Sequence, residues 1–142
     1  MNKFTTGLVL AALLGAAVYF LRPNPQDPNT NASETGSAIV AVTLPEQLST
    51  VAQIGKTAFE AKCAACHGIN AVGQQGVAPP LVHKIYEPSH HGDAAFLRAA
   101  QNGVNSHHWP FGNMPPVTGL TTADTKGIIA YIRELQKANG IH

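Results

Sequence analysis

The chain predicts an all-α fold, and three observations carry that reading. Apolar residues recur at helical spacing in separate stretches, no two alternating runs face each other across a hairpin turn, and the connections between stretches are rich in Gly and Pro. Of 142 residues, 44% are hydrophobic, enough for one folded domain with a core. Charged residues make up only 12% and the formal net charge is +1, so no basic patch invites nucleic acid.

Taken in order, the first segment is Phe4 to Leu21, 18 residues without a charge between Lys3 and Arg22. As a helix it spans about 27 Å, close to the roughly 30 Å of a bilayer core. This predicts an uncleaved signal-anchor over residues 1–21. A cleaved signal peptide is the rival; its best small-residue site, Gly15-Ala16-Ala17, would leave the apolar Val18-Tyr19-Phe20-Leu21 as the new terminus. Either way the remainder is exported, to the periplasm if the cell is bacterial. Residues 22–44 read as a tether with Pro23, Pro25 and Pro28 among Asn, Thr and Ser. The short apolar run Ala38 to Leu44 suggests an arm without a clear place.

The folded domain is expected over 45–142. Leu48, Val51, Ile54, Ala58 and Phe59 form a first helical stripe, and residues 71–81 are loop. A second helix runs from about Asp93 to Gln101 and stops at Asn102-Gly103. A loop rich in His, Pro and Gly covers 104–119. The last helix opens on Thr121-x-x-Asp124, a capping box with Asp in place of Glu. It carries Ile128, Ile132 and Leu135 with Tyr131 beside them, and ends at Asn139-Gly140.

The chemistry concentrates in Cys63-Ala64-Ala65-Cys66-His67. On a helical turn Cys63 and Cys66 stand on one face, where both sulfurs reach the two vinyl groups of one haem, and His67 comes under the iron. A redox dithiol would need a strand before the motif, and a structural zinc site two further cysteines; the chain has two cysteines in all. For the opposite axial position Met114, in Asn113-Met114-Pro115-Pro116, is favoured. His83, His90, His91, His107 and His108 compete.

These features resemble the class I c-type cytochromes, the small single-haem group. The resemblance runs from about Ile54 to Ala138 and rests on Gly55-x-x-x-Phe59-x-x-x-Cys63, Pro79-Pro80-Leu81, the Met114 loop, and a last helix whose Ile128 and Tyr131 cross over Gly55 and Phe59. It implies helices wrapped around one covalent haem c, a hydrogen bond from His67 to the carbonyl of Pro79, and Leu81 packed on the haem. The membrane-anchored architecture is similar to bacterial anchored cytochromes. The loops around His90-His91 and His107-His108 depart from the pattern.

The function this implies is outer-sphere transfer of single electrons between redox proteins, with no enzymatic step and His67 and Met114 as the metal ligands. Phe59, Leu81, Phe96, Trp109 and Phe111 are candidate pocket walls. Trp109 is placed with its indole N–H toward a haem propionate. The alternatives are a haem enzyme with a labile sixth ligand, peroxidase-like or gas-binding, and a cytochrome subunit of a larger oxidase or dehydrogenase. A second metal ion at His90, His91, His107 and His108 is not expected, because adjacent residues on a regular element point apart.

Overall fold

The computed structural model describes residues 34–142. Its helices are α1 (Thr50–Lys62), α2 (Ala64–His67), α3 (Asp93–Asn102) and α4 (Thr122–Ala138), with 3-10 turns at Ile69–Ala71 and Lys84–Tyr86. Among the described residues no strand forms; two isolated bridges join Gln74 to Ala78 and Val104 to Met114. No helix among them is long and apolar enough to cross a membrane, and Phe4–Leu21 lies outside them.

The crossing of α1 and α4 builds the core. Gly55 makes it possible: a Cβ there would lie 1.8 Å from the carbonyl oxygen of Gly127, whereas one on Gly127 would meet Gly55 Cα only at a tight 3.3 Å. On either side of this contact Ala52, Phe59, Ile128, Tyr131, Ile132 and Leu135 are buried together. The Phe59 and Tyr131 rings meet at 5.6 Å. Each large side chain buried here is worth roughly 1.5–3 kcal/mol.

Of the expected stripe, Phe59 is buried and Leu48 and Ala58 pack on the core, but Val51 and Ile54 are exposed and Ala52 and Gly55 face the core instead. Hydropathy favours the larger side chains, but the backbone approach selects the small ones. The polar start of α1 is tied to α4 as well. Ser49 Oγ accepts from Ala52 N as the N-cap and donates to Glu134 Oε1 at 2.6 Å.

Helix α4 starts with the expected box. Thr121 Oγ1 accepts from Asp124 N at 3.1 Å, and Thr121 N donates to Asp124 Oδ2 at 2.9 Å. The Thr121 hydroxyl, donating to Asp124 Oδ2 at 2.7 Å, and then the Thr121 N–H hold the Asp124 carboxyl below the ordinary value of 3.8. At the other end Asn139 does more than stop the helix. Its amide clasps Thr43, accepting from Thr43 N at 2.9 Å and donating to Thr43 O at 2.8 Å. Ile39 N and Val40 N both donate to Val72 O, and Val42 packs on the core. The apolar arm is therefore bonded to the domain, and the described residues, 34–142, form one compact unit that begins well before Pro45.

The segment between the 3-10 turn Lys84–Tyr86 and α3 has no regular structure, so side chains of α4 satisfy its carbonyls. Arg133 Nη1 donates to Tyr86 O at 2.7 Å, Nη2 to His91 O at 2.5 Å and Nε to Asp93 Oδ1 at 2.9 Å. Fully buried Gln136 donates to Leu81 O and Tyr86 O. The guanidinium also sits 4.9 Å from the centre of the Phe96 ring.

Candidate functional site

Cys63 closes α1, and α2 is the single turn that follows it. Both Cys66 N and His67 N donate to Cys63 O, so the two sulfur-bearing residues and the histidine share one helical turn. Gln74 secures that turn from outside, its Nε2 donating to Ala64 O at 3.2 Å and Ala65 O at 2.8 Å. Neither cysteine is in a disulfide. As a free thiol Cys63 is pushed up to about 11, first by burial and then by the neighbouring Cys66. A redox dithiol needs the opposite shift. A dry sulfur that resists ionisation suits a neutral thioether.

His67 is buried, with 8% of its surface exposed. Its Nδ1–H donates to Pro79 O at 2.9 Å, which fixes the tautomer and leaves Nε2 as the free ligand atom. Burial lowers the His67 pKa and the Pro79 bond works against that shift. The Pro79 loop is pressed into place by Gly73. That residue has φ +74°, donates its N–H to His67 O at 2.7 Å, and has no room for a Cβ, which would fall 2.5 Å from Pro80 N. Leu81 follows, half-buried against the core, with its N–H on Ala71 O. Asn70 is left-handed at φ 56°, and its Oδ1 accepts from the Tyr131 hydroxyl at 3.0 Å.

Met114 lies at the end of a loop closed by its own backbone, Val104 N to Met114 O and Met114 N to Val104 O, both 2.9 Å. Within that loop Trp109 stacks on Phe111 at 5.7 Å and meets His83 edge-on at 5.2 Å. Trp109 Nε1 is buried without a hydrogen-bond partner. The Tyr86 phenol is the neighbouring polar group: burial pushes it up to about 12, and its contact with the indole works against that shift. A buried donor left open in this way fits an acceptor from a bound group. Of the other candidate walls, Phe59 belongs to the helical core, and Phe96 packs against Tyr86 and Arg133.

The paired histidines do not diverge as adjacent residues on a regular element would. His90 and His91 sit on a turn in which Glu87 O accepts from both of their amides, and their rings are 4.6 Å apart. His108 lies 5.5 Å from His90 and 5.2 Å from His91 between ring centres. Partial desolvation, then the neighbouring imidazoles, lower the His108 pKa. Asp93, adjacent in sequence, is engaged by Arg133.

Residues 52–136 match the family model described as Cytochrome c. That span covers more than half of the chain, which therefore belongs to the cytochrome c family. No curated protein matches it. As a family member it is a haem-binding electron carrier, with one haem c attached covalently through Cys63 and Cys66 of the C-x-x-C-H motif. The residues present fit that group: two sulfurs on one turn, a histidine with one nitrogen committed to a carbonyl, and an open indole donor.

Sequence reasoning marks Gly73 only as a breaker within the 71–81 loop and does not mark Gln74 or Asn70. Gly73 carries a signal in retrospect, since a Gly six residues before a Pro pair marks a sharp return of the chain. Gln74 and Asn70 act through single side-chain bonds that leave no pattern.

Proposed function

We propose that the protein shuttles single electrons through a six-coordinate haem, with His67 and Met114 as axial ligands. The observation that carries the reading is the His67 Nδ1–Pro79 O bond, which frees Nε2 and raises its basicity. When bound, the haem supplies an iron that alternates between two oxidation states. This chain's residues hold it, exclude water and tune it. Imidazole and thioether together raise the potential compared with two nitrogens. The buried side of the pocket, Leu81 included, works in the same direction by lowering the local dielectric. The Trp109 indole donates to a propionate, which answers its otherwise unmet donor.

The partners are redox proteins. The apolar Ile69 and Val77, both exposed and both in the loop after the haem motif, give a contact surface with little charge. That suits brief encounters. Phe4–Leu21 anchors the protein in a membrane with the haem domain in the periplasm, and residues 22–33 let it reach its partners at high local concentration. No catalytic residue is assigned.

The test is Met114→Ala in the haem-loaded protein. Loss of the thioether opens the sixth position, lowers the potential, and allows reduced protein to bind carbon monoxide and to react with peroxide. An unchanged potential with no gain of carbon monoxide binding would assign the sixth ligand to another side chain. Wild-type protein that already binds carbon monoxide readily would favour the open-site haem enzyme.

A further inference from the structure

The histidines at 90, 91 and 108 are brought together by two loops distant in sequence, and nothing in the electron-transfer reading uses them. Each offers a ring nitrogen, and these atoms lie within 4.8 Å of one another. We propose that His90, His91 and His108 form a binding site for one nitrogen-preferring divalent transition-metal ion, copper(II) or zinc(II), which cross-links the loop before α3 to the loop that carries Met114.

Four features support this site. The first is distance. Nitrogens sharing an ion at about 2.0–2.1 Å in tetrahedral geometry stand about 3.4 Å apart. His90 and His108 are exposed, so side-chain rotations alone close the remaining gap. The second is tautomer control. His91 Nδ1–H donates to Ile85 O at 2.6 Å, leaving Nε2 with its lone pair free. Ligating histidines are held in this way by their other nitrogen.

The third is scaffold. His90 and His91 hang from the Glu87 turn, and His91 O is gripped by Arg133 Nη2. On the opposite side Ser106 N donates to Asn113 Oδ1 at 2.9 Å, and the Ser106 hydroxyl donates to Trp109 O. Both loops are thus braced by bonds that do not involve the three rings. The fourth is donor chemistry. The ligand atoms that converge are three imidazole nitrogens with no carboxylate among them. That selects copper or zinc over magnesium or calcium. Three protein ligands leave a fourth position open to water.

His107 is not in the set, because the ring nitrogens that converge are those of His90, His91 and His108; its ring packs against His108 at 4.2 Å. It supports the cluster from outside.

The experiment is calorimetric titration of the ferric, haem-loaded protein with zinc(II) alone. Copper(II) paramagnetic resonance gives the donor type. One ion per chain is expected, with nitrogen hyperfine structure on copper. His90→Ala and His108→Ala should each weaken binding by at least about tenfold, since losing even an outer partner of a ligand costs that much. His107→Ala should change it less than about threefold, and His142→Ala not at all. Zinc should raise the urea midpoint of the wild type and not of the His90→Ala/His108→Ala pair. The haem absorption spectrum of each variant reports that the domain is folded. Absence of binding at micromolar zinc, binding that survives both ligand substitutions, or an equal loss with His107→Ala would overturn the assignment.

Discussion

The ring of His67 and the ring of His91 each turn Nδ1–H onto a backbone carbonyl, Pro79 O in one case and Ile85 O in the other. The local device is the same and the settings are not. His67 is buried beside two cysteines, on a turn locked by Gln74 and Gly73. His91 is half-exposed among three other imidazoles, on an irregular segment held by side chains of α4. The carbonyl bond fixes the tautomer and leaves Nε2 free. What surrounds it decides the group it can hold. A dry, sulfur-bearing turn takes an apolar macrocycle, and a wet imidazole cluster suits a small ion.

The difference has mechanical consequences. Arg133 is the main anchor of the second region and reaches four acceptors, Tyr86 O, His91 O, Gln136 Oε1 and Asp93 Oδ1. Arg133→Ala strands the His91 carbonyl and the buried Gln136 Oε1, while Tyr86 O keeps its bond from Gln136 Nε2, and should cost about 3 kcal/mol of stability in urea unfolding. The exposed Asp93 pair contributes little to that figure. The haem spectrum of the folded variant should be unchanged, because none of these bonds touches the His67 turn. A spectral change would mean that the two regions are coupled.

Gly73→Ala attacks the first region. The new Cβ meets the Pro80 backbone and sits at φ +74°, so a loss of about 2 kcal/mol is expected. Displacing Pro79 from His67 should also weaken the imidazole as a donor to the oxidised iron and so raise the potential, which protein-film voltammetry reads directly. Gly92→Ser is the matched change in the second region. Gly92 is the N-cap of α3 at φ −63°, and a Cβ there makes only an ordinary 3.5 Å contact with Pro88 O. Serine is a good cap, so stability should stay within about 0.5 kcal/mol of the wild type or rise slightly. Equal losses at the two glycines would erase the contrast between a locked turn and a tolerant one.

The smallest effect concerns the end of α4 away from both sites. The carboxyl of Asp124 is held below 3.8 by its bonds to Thr121. A depressed carboxylate stabilises the fold above the unfolded value, and that contribution disappears as pH falls through the folded value. Asp124→Asn should therefore lower the urea midpoint slightly at neutral pH, and the gap should close in acid below the ordinary aspartate range.

Much of the frame was legible in the sequence. Thr121 and Asp124 announced the start of α4, Asn102-Gly103 the end of α3, and the five-residue motif the haem attachment. Those signals are local, involving residues within one turn of each other. The crossing at Gly55 and Phe59 was expected from the family resemblance, but hydropathy did not show that Val51 and Ile54 face outward, because the small Ala52 and Gly55 are selected by the close approach of a helix far along the chain. The convergence of His90, His91 and His108 was hidden for a related reason. Adjacent pairs were read as if on a regular element, whereas the Glu87 turn and the Ser106 loop set directions that no spacing rule describes. Arg133 and Gln136 looked like the polar face of an amphipathic helix. Their role appears only once the segment from Leu81 to Asp93 is seen to lie across α4.

The central claim is that the haem iron is closed on both faces, by His67 and by Met114. The most direct measurement is the near-infrared edge of the absorption spectrum of the oxidised wild-type protein, where a thioether sulfur bound to ferric haem iron gives a weak charge-transfer band. The band should be present in the wild type and absent in Met114→Ala. A wild-type spectrum without it, together with ready carbon monoxide binding on reduction, would contradict the carrier assignment.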